Sequence, residues 1–274
     1  MKYVDLTLQD GGSGVSDYDL LTNQPQINGV TLTGNKTNAD LNIQDIRILP
    51  NGYTINVATD ESGDFTTIQE ALNSLIGKLC VGRVYINVAS GTYNFAELYS
   101  LNDLLPAIEI AASDSNNKPI FKASTDVTYP IFDMYNMSYI KFTNIIFQGY
   151  TTGSSLPPSN AADRGSLVRY NSHAIFEKCT FNNFNRGCMT TDGGQSYLNG
   201  CTFSYCTNAI SSTRAGQNII TTSLTAANCT YLIEVYNNGY CDTSKINPTM
   251  TNVTNKYSQI VNTISAQGLI IGNT

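Results

Sequence analysis

The chain has 274 residues, 41% of them hydrophobic and only 13% charged, which excludes an intrinsically disordered chain. A net charge of -6 and a pI near 4.7 exclude non-specific nucleic-acid binding through clustered Lys and Arg. No apolar run reaches the roughly 18–20 residues of a membrane span, so no membrane insertion is expected.

The opening residues, Met1 to Asp5, carry no basic segment followed by an apolar stretch, so no signal peptide is expected. The first 50 residues hold short alternating stretches between turns. Asn28-Gly29 predicts a two-residue hairpin that puts Ile27, Val30 and Leu32 on one side, and Gly34-Asn35 predicts a second turn. So few apolar residues cannot form a core alone, so residues 1–50 are read as an attachment and oligomerisation segment, and residues 51–274 as the main domain. The stretch "PQINGVTLTGNKTNADLNI" resembles a short element near the start of bacteriophage tail-fibre and baseplate-associated proteins. That resemblance implies a homotrimer joined to other phage tail or baseplate proteins, located in the virion tail and made in the host cytoplasm.

Tyr53 to Ala58 alternates as a strand. Phe65, Ile68, Ala71, Leu72 and Leu75 then fall at helical spacing. Thr66 and Gln69 suggest a capping box, and Gly77 a helix end. Short strands follow at 83–88, 107–110, 119–121 and 131–132.

From Tyr139 the chain repeats. "YIKFTNIIFQ", "HAIFEKCTFNN" and "SYLNGCTFSYC" superimpose, matching Phe142 with Phe176 and Leu198, Ile145 with Cys179 and Cys201, and Phe147 with Phe181 and Phe203. The last two copies lie 22 residues apart, a weaker copy follows at 218–229, and "TTGSSLPPSNAADRG" lengthens the first gap to 34. Short strands at this period predict a β-solenoid whose turns stack about 4.8 Å apart, with matched side chains forming inward ladders. Asn144, Asn182 and Asn208 are expected at its bends and the helix at its open N-terminal end. The alternative is a β-sandwich, which would not need matched ladders. The seven Cys are odd in number and form no CxxC, and His173 is the only His. Mostly reduced thiols, several of them buried, are therefore expected, without a metal or cofactor. Seventeen Tyr with no Trp suit either a strand-rich chain or a contact surface.

"VATDESGDFTTIQEALNSL" followed by "RVYINVASGTYNFAEL" resembles the start of pectinesterase-like right-handed parallel β-helix proteins, and the resemblance extends over about residues 53–230. It implies an all-β, right-handed, single-stranded parallel β-helix with an N-terminal capping α-helix. In that family one rung carries Gln-Asp-Thr and the next a nucleophilic Asp. The matching positions here hold Asn185-Arg186-Gly187 and Asn208-Ala209-Ile210, so both catalytic carboxylates are replaced. Catalysis is therefore not expected. The candidate ligand-binding residues are Arg164, Arg169, Asn185, Arg186, Asp192, Tyr205 and Asn208, with Arg186 suited to anionic glycans. A polar cleft joining Asp163, Arg164, Arg169, Arg186 and Asp192 to Glu177 would instead suit a lyase or hydrolase. His173 reads as structural, and Asp60, Glu61 and Asp64 as turn residues. The sequons at Asn35, Asn136, Asn228 and Asn252 carry little meaning without a secretory signal.

The resulting expectation is a phage or prophage tail-associated adhesin that binds a host-surface glycan without cleaving it. Its rivals are a tailspike depolymerase and a purely structural baseplate part.

Overall fold

The structure is a computed structural model. It describes residues 26–32, 36–37, 40–41, 48–95, 107–123, 130–136, 139–149, 156–157, 164–245, 247–259 and 269–271. The chain forms two compact units, Met1–Arg47 and Ile48–Thr274. In the first, Gln26–Ile27 pairs antiparallel with Val30–Thr31 across Asn28-Gly29. Both turn residues have positive φ, 49° and 77°, as a type I′ hairpin turn requires. Gly34 and Asn35 lie outside the described residues.

The second unit is a parallel solenoid. From Ile108 to Gln259 each turn contributes one strand to each of three sheets, and the period is clearest in the middle. His173–Glu177 lies in sheet one, Thr180–Asn182 in sheet two and Arg186–Thr190 in sheet three. The next turn supplies Gln195–Asn199, Cys201–Ser204 and Asn208–Ser212. Among the described residues the three sheets hold nine, seven and six strands, every neighbouring pair parallel.

The register matches the repeat read from the sequence. Phe142 stacks on Phe176 in sheet one, followed by Leu198 and Ile220. Phe147, Phe181 and Phe203 follow one another in sheet two. These rings are fully buried and nearly parallel: Phe147–Phe181 centroids are 4.7 Å apart at 6°, and Phe181–Phe203 4.9 Å at 7°. Alternation drives this arrangement, because every second residue of a strand faces inward and each ring covers the one below. All seven cysteines are buried and free. Burial pushes Cys179 up to about 12 and Cys188 up to about 11, which keeps both thiols protonated.

The interior is not wholly apolar. Asn218 Nδ2 donates to Ser212 Oγ at 2.6 Å and Thr190 Oγ1 at 2.9 Å, while Ser196 donates to its Oδ1. These buried groups satisfy one another. The bends carry left-handed residues, as expected, but with a shift. Asn144 turns sheet one into sheet two, and Asn183, Asn228 and Asn252 turn sheet two into sheet three. Asn182 and Asn208 instead lie within strands.

The helix spans Ile68–Asn73, shorter than its apolar spacing suggests, and buries Ile68, Ala71 and Leu72. Its cap is one residue later than predicted. Thr67 accepts from the Glu70 amide at 3.2 Å, so Thr67 and Glu70 stand at the N-cap and N3 positions that the sequence reading gave to Thr66 and Gln69. The helix packs against Tyr53–Val57 and Thr92–Phe95 of the first turns.

Candidate functional site

The outer face of sheet three collects most of the predicted binding residues. Arg164, Arg186, Asn208 and Tyr231 occupy one register row, and Asp133, Leu167, Met189, Ser211 and Glu234 another. Arg169 follows Arg164 along the same strand. Arg164, Arg169, Arg186 and Asn208 thus lie on one face. The two carboxylates on this face among the described residues, Asp133 and Glu234, were not among the predicted site residues. The period would have placed Glu234 beside Ser211 only after allowing for one extra residue, which shifts Leu224 to a spacing of 23 from Cys201.

Each carboxylate is held by an arginine. Arg169 donates from Nε to Asp133 Oδ1 at 2.8 Å and from Nη2 to Oδ2 at 2.5 Å. Arg186 Nε donates to Glu234 Oε2 at 3.0 Å, and Ser211 Oγ donates to the same oxygen at 2.8 Å. Burial raises the Asp133 pKa, and the Arg169 hydrogen bond and charge oppose the rise. Asp133 and Glu234 are separated by four register steps, roughly 19 Å at about 4.8 Å per step. Glycoside hydrolysis uses carboxyl pairs about 5–9.5 Å apart, so these two do not form such a pair.

Arg164 is different. It makes no ion pair among the described residues, and its Nε is buried without a hydrogen-bond partner. Burial and the Arg186 charge lower its pKa, while Asp133 acts in the opposite direction. The guanidinium nevertheless stays cationic, since arginine is not deprotonated in proteins. Two rungs along its row, Asn208 is 5% exposed and its Oδ1 lacks a partner. Thr213 Oγ1, just past the end of the same strand, is buried and also unpartnered.

The remaining predicted residues lie apart. Asn185 sits just before the strand, and its carbonyl accepts from the Asn208 amide at 2.8 Å. Asp192 lies in the turn from sheet three to sheet one, 3.8 Å from Arg214 Nη1. Tyr205 lies at the corner between sheets two and three, in a groove of about 360 Å³ with Leu156, Asn228 and Asn252. Glu177 does not join the cleft considered above. It projects from sheet one and pairs with Lys141 at 2.7 Å, because strand alternation turns it away from sheet three. Asp163 lies outside the described residues. His173 is stacked on Tyr197, centroids 4.9 Å apart, and burial lowers its pKa. Asp60 and Asp64 serve turns, accepting from the Ser62 and Asn56 amides respectively.

The stacked sheets and their ladders define a right-handed parallel β-helix of the pectin lyase type. Residues 108–257, more than half of the chain, match the family described as Adenovirus EB1 55K protein / large t-antigen, and the chain belongs to that family. Among solved structures, the deglycosylated pectin methylesterase of Aspergillus niger is similar, with a TM-score of 0.51 and 13% identity over 83% of this chain and 86% of that one. The same enzyme in penultimately deglycosylated form has a TM-score of 0.48 and 14% identity at the same coverage. At these identities the likeness concerns the fold. No curated protein matches the sequence.

Proposed function

We propose that this chain is a phage or prophage tail-associated adhesin whose sheet-three face binds a carboxylated host-surface glycan without cleaving it. The observation that carries this reading is Arg164, a half-buried cation on the β-helix face that makes no ion pair among the described residues. A planar carboxylate matches the two outer nitrogens of a guanidinium with two parallel hydrogen bonds. Arg186 was the sequence-based choice for this role, but its Nε is occupied by Glu234. The carboxylate separation and the arginine clamps disfavour a depolymerase. The tail assignment is supported by the resemblance of the N-terminal segment, as are a homotrimeric state and attachment to other tail or baseplate proteins. The viral description of the matching family is consistent with a virus-borne chain.

The test is titration calorimetry against polygalacturonate, alginate and hyaluronate, with dextran as the neutral control. At least one carboxylated polymer should bind, more weakly as salt rises, because exposed charge contacts are screened. Arg164→Met should weaken that binding at least about tenfold, the loss of one charge-assisted contact. Silence toward every carboxylated polymer, or undiminished binding by Arg164→Met, would overturn the reading; silence would favour a structural baseplate part.

A further inference from the structure

The turns from sheet three to sheet one share one geometry. In four successive rungs a backbone hydrogen bond closes the turn: Ser172 to Arg169, Gly194 to Thr191, Gly216 to Thr213 and Gly239 to Tyr236, at 2.8–3.1 Å. The two central residues both have positive φ in every case: Tyr170-Asn171, Asp192-Gly193, Arg214-Ala215 and Asn237-Asn238. Such turns favour Asn, Asp and Gly. Tyr170, at φ 51°, is a bulky residue where Asn would fit with less strain.

Its ring is not buried in compensation. Tyr170 and Tyr135 each remain 38% exposed, with centroids 4.5 Å apart. The Arg169 guanidinium lies 5.4 Å from both ring centres and is fixed in turn by its two hydrogen bonds to Asp133. Two exposed aromatic rings are therefore held rigidly at the edge of the sheet-three face, continuous with the Arg169–Asp133 pair. Rigid tyrosines give large amphipathic contact area at low entropic cost.

We propose that Tyr135 and Tyr170 form a stacking platform for the apolar face of a pyranose in the glycan bound by this face. The proposal rests on the glycan-binding reading and adds a subsite that recognises ring shape rather than charge.

The test compares wild type, Tyr170→Asn, Tyr170→Phe and Arg164→Met on whichever carboxylated polymer of the set above binds best. Tyr170→Asn should melt at the same temperature or higher, because Asn suits the turn. It should nevertheless bind about tenfold more weakly, with unchanged salt dependence. Tyr170→Phe, which keeps the ring, should retain most of the affinity, whereas Arg164→Met should reduce the salt dependence. Wild-type affinity in Tyr170→Asn would overturn the platform and leave the glycan reading standing. A change in light-scattering mass with no change in glycan affinity would also overturn it, by making the rings a protein contact. A wild type that binds no polymer would overturn the glycan reading itself.

Discussion

Phe181→Ala should cost about 3–5 kcal/mol of stability, and Phe203→Ala a similar amount, as for other large core truncations. Both rings are fully buried, and Phe181 lies between Phe147 and Phe203 in a continuous stack. The surrounding wall has little freedom to collapse into the space left. A Cβ on Gly187 would already come within 2.7 Å of the Phe203 ring and 2.6 Å of the Ala209 carbonyl oxygen. Equilibrium urea unfolding checks this, with the loss read at a constant denaturant slope. A loss below about 1 kcal/mol at both sites, typical of a surface position, would contradict the ladder register.

The second large effect is expected at Arg186. Its replacement by Met leaves Glu234, whose side chain is 8% exposed, with its charge uncompensated and Ser211 as a remaining donor. Breaking a fully buried pair costs about 3–5 kcal/mol; Arg186 is 23% exposed, so about 2–4 kcal/mol is expected. Arg186→Met combined with Glu234→Gln should recover most of that loss, because the stranded charge is gone. A single variant no less stable than the double would show that the pair is not a structural clamp. Any weakening of glycan binding in Arg186→Met should therefore track its loss of stability, unlike that in Arg164→Met.

The fold was largely legible in the sequence because a solenoid repeats its inward residues. Phe147, Phe181 and Phe203 state the register directly, and their structural partners are the same residues. The hairpin at Asn28-Gly29 was legible for a different reason, since few residues tolerate two positive φ values in succession. The helix cap was displaced by one because Thr66 and Thr67 are adjacent and both are competent to cap. Here Thr67 takes the Glu70 amide, while Thr66 Oγ1 donates to the Glu70 carboxylate.

The candidate site was legible only in part. Arg164, Arg186 and Asn208 share a row, so their proximity followed from the period. Their partners did not. Glu234 reaches Arg186 from 48 residues away, and Asp133 reaches Arg169 from 36, across gaps of irregular length. Sequence spacing places backbones in register but does not reveal which arginine is neutralised. The free Nε of Arg164 and the buried Oδ1 of Asn208 emerge only from the packed side chains.

Binding without cleavage is tested most directly by holding the protein with a polymer it retains and following chain length and product release together. Polygalacturonate and its methyl ester supply the readouts: reducing ends, unsaturated ends and methanol. The expected result is unchanged chain length and no methanol, because the resemblance to pectinesterases matches Arg186 and Asn208 to the positions of that family's catalytic carboxylates. Sustained release of any of these products, abolished by Asp133→Asn or Glu234→Gln, would contradict the adhesin reading and identify the sheet-three face as an active site.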